Sequence, residues 1–212
     1  MRKSNVIPIL DSNSGSESRP LRADAAANRQ RLLATASTLF DAQGVAHVHM
    51  EHIAQNAGVG KGTLYRHFPS KGDLCLALLD GAFRDFQNEV LEELRHGMEN
   101  EASHLDLLAG FLAAYADYMD RHMPLMCEIQ RDGVDTLHSP APHIWLSMTI
   151  RGLLEAAQTA GEVGAGLDLP VITELLMGPY TAQHFRFMRE RHGFSASRIA
   201  AGQASMVVNL CG

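Results

Sequence analysis

The stretch Met50–Leu74, MEHIAQNAGVGKGTLYRHFPSKGDL, decides the fold. Met50, Ile53, Ala54 and Ala57 recur at the one-sided spacing of an amphipathic helix. Gly58 follows, the residue type that stops a helix abruptly by adopting positive φ. Val59 is apolar inside the turn and is expected to plug the angle between two crossed helices. A second short helix is predicted over Gly60–His67, with Leu64 and Phe68 directed back at Ile53. Two short helices across a glycine-bearing turn make a helix-turn-helix. The outer side of the second helix carries Lys61, Gly62, Thr63, Tyr65, Arg66 and His67. Two cations, a near-naked backbone, a hydroxyl, a phenol and an imidazole on one convex face suit a phosphate-lined groove. They do not supply the converging acid and base groups of an enzyme site.

Outward from this motif, the chain reads as helices. Upstream, Asn28–Gln43 has a buried stripe of Leu32, Leu33, Ala36, Leu39 and Phe40, and Gly44 ends it. This helix braces the motif. Residues 1–27 are rich in Ser, Asn, Ala and Gly and read as a disordered arm. Arg19, Arg22 and Arg29 either track a phosphate backbone or minor groove, or belong to a solvated tail. Downstream, Pro69 breaks the chain and Ser70 is placed to cap a long helix from Lys71 to about Arg95. Leu74, Leu78, Leu79, Ala82, Phe83, Phe86, Val90 and Leu94 form its seam. A rod of about 25 residues spans nearly 40 Å, enough to join the motif to whatever follows.

The remainder has helical spacing and no strand alternation. Helices are predicted near Ser103–His122, Pro124–Arg131, Pro142–Ala160, Pro170–Arg191 and Ser195–Leu210, with Gly161, Gly164 and Gly166 marking a loop. The fold class is therefore all-α, with about nine helices. Three parts are expected: an arm (1–27), a helix-turn-helix head (28–72) and a helical body (73–212).

Composition bounds the function. The 212 residues are 46% hydrophobic, enough for a full core, and carry a formal net charge of −6. The charge is split: residues 1–72 hold nine Lys/Arg and five Asp/Glu, a net of +4, and residues 73–212 a net of −10. A basic head on an acidic body fits a DNA-binding module attached to something that stays off the DNA. No apolar run approaches the roughly 18 residues of a membrane span, and the N-terminus lacks a secretory pattern. Cys75, Cys127 and Cys211 are odd in number and far apart, so a disulfide framework is not expected and the cytoplasm is. There is no phosphate-binding Walker loop, no G-x-G-x-x-G and no G-x-S-x-G, so neither an enzyme nor a cofactor is implied. His47, His49 and His52 have a spacing open to a transition metal, but with no Cys nearby and two of them in the loop before a helix, phosphate contact or solvent exposure is the preferred reading and no metal is expected. A thiol sensor at Cys75 or Cys127 needs a lowered pKa and a partner, neither visible in sequence.

The words IAQNAGV (Ile53–Val59), KGTLYRHF (Lys61–Phe68) and PSKGDL (Pro69–Leu74) resemble the tetracycline-repressor (TetR) family of bacterial transcription regulators. The resemblance covers about Arg29–Leu79 at motif level. Family members usually carry Ser or Thr before each helix of the motif, where this chain has Val48–His49 and Gly60; His49 is the candidate replacement for one phosphate contact. The resemblance implies a homodimer on a double-stranded DNA operator, released by a small-molecule effector. Lys61, Gly62 and Thr63 would lie nearest the bases and Tyr65, His67 and Lys71 at the phosphates, with Arg66 also among the DNA-binding residues. The effector would sit among Phe86, Phe111, Tyr115, Tyr118, Met119, Met126, Gln130, His143, Trp145 and Met148. Plain core is the alternative reading of those residues. The last two helices would pair across a twofold axis through Leu176, Tyr180, Phe187, Ile199, Gln203, Met206, Val207 and Leu210; an intrachain hairpin is the alternative.

Overall fold

The computed structural model describes residues 18–133 and 140–209, and the order of elements follows the apolar stripes. Helix α1 (Ser18–Gln43) buries Leu32, Ala36 and Phe40 and ends at Gly44, whose φ of 82° only glycine adopts readily. It begins at Ser18 instead of Asn28. The expected disordered arm is therefore helical from that residue on, because Ala23, Ala25, Ala26 and Ala27 are the strongest helix formers. Residues 1–17 and the side chains of Arg19 and Arg22 lie outside the described residues. A 3-10 turn, Val45–His47, leads to α2 (Met50–Asn56). Gly58, at φ 64°, turns the chain into α3 (Lys61–His67). Ile53, Ala54, Leu64 and Phe68 close the small core of this head, as their spacing predicts.

Helix α4 (Lys71–Glu99) starts in a capping box. The Ser70 hydroxyl accepts from the Asp73 amide at 3.1 Å, and the Asp73 carboxylate accepts from the Ser70 amide at 3.0 Å. The helix belongs to both parts of the molecule: Leu74 and Cys75 join the head core, and Phe86 and Val90 join the body core.

Helix α5 (His104–Arg131) is continuous through Pro124, where the sequence reading expected a break. A proline in a helix interior removes one backbone bond and pushes its ring at the carbonyl four residues back. Here α5 is held on three sides, by α4, α6 and α9, and the packing outweighs that local cost. The reverse holds further on. The helix predicted over Pro170–Arg191 splits into α7 (Leu169–Met177), a 3-10 turn at Gly178–Tyr180 and α8 (Ala182–Arg191). Pro179 cannot donate, and the Thr181 hydroxyl caps the new helix by accepting from the His184 amide at 3.3 Å. The buried Tyr180 hydroxyl donates to the Leu112 carbonyl at 3.0 Å and pins this break to α5. Helices α6 (Pro140–Thr159) and α9 (Ala196–Asn209) complete the body around α5.

Candidate nucleic-acid interface and effector core

The head presents α3 as its outer edge. Leu64 is fully buried beneath it, while Lys61, Gly62, Tyr65 and Arg66 are exposed and Thr63 and His67 are half-buried. No atom lies within 4 Å of a Cβ built on Gly62, so that backbone is open to an approaching surface. Tyr65 donates from its hydroxyl to Glu51 of α2 at 3.3 Å, and Lys61 lies 3.9 Å from the same carboxylate. Glu51 was not singled out in the sequence; its place opposite Tyr65 depends on the crossing of two helices. His49 occupies the N-cap of α2, exposed and without a capping bond from its side chain. His47 is exposed and His52 half-buried.

Lys71 corrects the sequence reading. Its side chain is only 10% exposed, so it does not join the exposed face of α3. Its ammonium donates to the Val45 carbonyl at 2.5 Å, pairs with the buried Glu128 of α5 at 3.2 Å and lies over the Phe40 ring. Arg29 similarly lies over Phe68.

In the body, Phe86, Phe111, Tyr115, Tyr118 and Met119 are buried together, with Trp145 and Met126 half-buried beside them. The rings pack on one another: Phe86 lies 4.9 Å from Tyr118 and 6.0 Å from Trp145 between centroids. Phe83, one turn before Phe86, joins through Tyr118 and Trp145 at 5.8 and 5.7 Å. His122 stacks on Tyr118 at 4.5 Å. Both follow the i, i+3/i+4 rule from residues already singled out, so their place was open to sequence reasoning. Burial holds the hydroxyls of Tyr115, Tyr118 and Tyr180 protonated far above the usual phenol range. Burial, reinforced by Arg121, keeps His122 below the usual imidazole value.

Three predicted effector residues lie elsewhere. Met148 is 68% exposed, because Leu146, Ile150, Leu153 and Leu154 define the buried side of α6 and Met148 faces away. His143, in the first turn of α6, is exposed. Gln130 lies 11 residues beyond Met119, about 16 Å along the axis, and lines a cavity of about 510 Å3 between head and body. Val45, Pro124, Cys127, Glu128 and Arg186 also line it.

The predicted pairing surface needs a larger correction. Leu176, Tyr180, Ile199, Gln203 and Val207 are buried in the protomer's own core, with the Gln203 amide donating to the Leu176 carbonyl. A stripe at i, i+4, i+8 (Ile199, Gln203, Val207) marks the inward side of a helix, and for α9 that side faces α5. Phe187 and Met206 are exposed, at 48% and 56%, together with Val171, Leu175 and Val208. Leu210 lies outside the described residues.

Comparison with known proteins agrees with this geometry. Residues 32–78 match the family model described as bacterial regulatory proteins, tetR family. An HTH-type transcriptional regulator of Staphylococcus aureus (strain bovine RF122 / ET3-1) is 46% identical over 66 residues, 31% of this chain and 36% of that protein. Another, from Staphylococcus aureus strain USA300, is 53% identical over 55 residues, 26% of this chain and 30% of that one. The matched stretch thus spans about a third of these relatives' length. Among solved structures, Thermus thermophilus FadR, a TetR-family repressor in complex with lauroyl-CoA, has a TM-score of 0.61 at 18% identity, over 86% of this chain and 94% of that one. RolR in complex with resorcinol has a TM-score of 0.57 at 20% identity, over 88% and 90%. Residues 32–78 are thus similar to the helix-turn-helix region of tetR-family regulators. The described chain as a whole shares the all-helical fold of Thermus thermophilus FadR and RolR.

Proposed function

We propose that the protein is a ligand-responsive DNA-binding transcriptional regulator, a repressor that leaves a palindromic operator when a small, largely apolar molecule enters the body. The outer face of α3 carries this reading: Lys61, Gly62, Tyr65 and Arg66 are exposed over a fully buried Leu64. Such a helix enters a major groove, with side chains at base edges and phosphates. The exposed apolar side chains Val171, Leu175, Phe187, Met206 and Val208 on the last three helices support a second copy against this end of the body. Two heads then dock at half-sites about 34–36 Å apart.

The test is selection of bound sequences from random DNA, then fluorescence anisotropy on the winner. The expected result is a palindrome, with binding abolished by Tyr65→Ala at unchanged sedimentation and melting. Failure to enrich any sequence would overturn the reading. For the effector, the packed rings around Phe86 and Trp145 favour an apolar or aromatic molecule that parts them. Lauroyl-CoA and resorcinol, the ligands of the structural neighbours, are the first probes. Binding followed by emission of Trp145, the single tryptophan, is expected to weaken operator affinity about 5–150-fold. Binding without that loss would count against an effector role.

A redox reading has one specific observation in its favour. Arg186 donates to the Cys127 sulfur at 3.4 Å, a contact that oxidation of the thiol would change. Peroxide would pass one oxygen to the Cys127 thiol, forming the sulfenic acid and releasing water. Cys75 is the poorer candidate: burial, with Glu128 close by, pushes its thiol up to about 12. Operator affinity that ignores peroxide, in the wild type and in Cys127→Ser alike, would end this reading.

A further inference from the structure

The first amides of a helix have no partner within it. In α4 the Asp73 amide goes to Ser70, but the Gly72 amide goes across the molecule to the Asp132 carboxylate at 2.7 Å. Asp132 is the C-cap residue of α5, so the end of the body's central helix caps the start of the head-to-body rod. One turn earlier on α5, Glu128 is 4% exposed and takes Lys71 at 3.2 Å and Arg131 as partners. Lys71 holds the Val45 carbonyl in turn, and Ile129 is buried in the head core. Two carboxylates on one face of α5 thus grip the α4 N-terminus and, through Lys71, the turn before α2. Each contact is short, and Glu128 and Lys71 are nearly out of water.

The geometry points to Glu128 and Asp132 as positioning residues that set the angle of the head on the body. α5 also carries Tyr115, Tyr118 and Met119 of the aromatic core, so a shift of that helix moves the head through these two carboxylates. The functional arm of this inference rests on the DNA-binding reading; its structural arm does not.

The test uses the full-length protein with Asp132→Ala, Glu128→Gln and the paired replacement Lys71→Met with Glu128→Met. The pair removes both charges at similar volume, so a folded variant remains if Glu128→Gln does not fold. Hydrogen exchange of the Gly72 amide, read by NMR, is expected to accelerate about fivefold or more in Asp132→Ala, the scale of a lost cap. Affinity for the selected operator is expected to change about fivefold or more in all three variants, with native-state emission of Trp145 in the aromatic core unaltered in Asp132→Ala. Unchanged Gly72 exchange would overturn the clamp. Faster exchange with unchanged operator affinity would overturn the positioning role. Should the wild type select no DNA at all, the DNA-binding reading fails, and Gly72 exchange alone decides whether the clamp holds.

Discussion

At the scale of single residues, the exposed face of α3 and the concealed Lys71 separate two roles that look alike in sequence. Lys71→Ala leaves Glu128 buried with only Arg131 beside it. The expected loss is about 3 kcal/mol, the lower end for breaking a buried ion pair, read from urea unfolding. Because Lys71 faces Glu128, the slope of operator affinity against salt stays as in the wild type. A phosphate-gripping lysine would flatten that slope by nearly one. Glu51 makes the converse case. It is the one acidic group paired to both Tyr65 and Lys61. Glu51→Gln removes a negative charge from the face proposed to meet phosphates and frees both side chains. Tighter DNA binding is expected at low salt, measured by anisotropy; unchanged or weaker binding would mean that the carboxylate orients Tyr65.

At the scale of helices, termini are closed by acidic residues distant in sequence. Asp132 does this for α4. Glu162, in the loop after α6, does it for α5, accepting from the His104 and Leu105 amides at 3.0 and 2.9 Å and lying 2.9 Å from the His104 imidazole. Burial raises the Glu162 pKa, but those amides and the imidazole outweigh it and hold the carboxyl below the usual range. A depressed folded value stabilises the protein above the unfolded pKa, and that contribution is lost as pH falls through the folded value. The stability gap between wild type and Glu162→Gln is therefore expected to be about 1 kcal/mol near neutrality, the scale of a cap. It should shrink as pH drops below about 4.3, the free glutamate value. Urea melts across that pH series check it; a gap independent of pH would show that charge is not what Glu162 supplies.

At the scale of the whole molecule, the apolar residues of the last helices divide into an inner and an outer set. Phe187→Arg or Met206→Arg places a charge in the outer set, where the second copy is proposed to sit, and is expected to yield folded monomers by sedimentation. Operator affinity should fall with them, since a single head loses its partner half-site. Val207→Ala, on the inner face, is expected to cost about 1 kcal/mol or more of stability and leave the assembly intact. If the outer variants stay dimeric, the twofold contact lies elsewhere.

Local chemistry was legible in the sequence wherever one segment settles its own fate. The apolar spacing in Met50–Phe68, Gly44 and Gly58 at positive φ, the Ser70 cap and the aromatic cluster on α4 and α5 all follow from side-chain size and backbone freedom close by in the chain. Proline broke that legibility in both directions: Pro124 stays within a helix clasped by its neighbours, and Pro179 ends one. Which side of α9 faces its own body, and whether Lys71 meets solvent or Glu128, depended on a helix dozens of residues away. A periodic stripe says that a face is buried; only the tertiary packing decides against what, because burial energy is non-directional and any apolar surface can supply it.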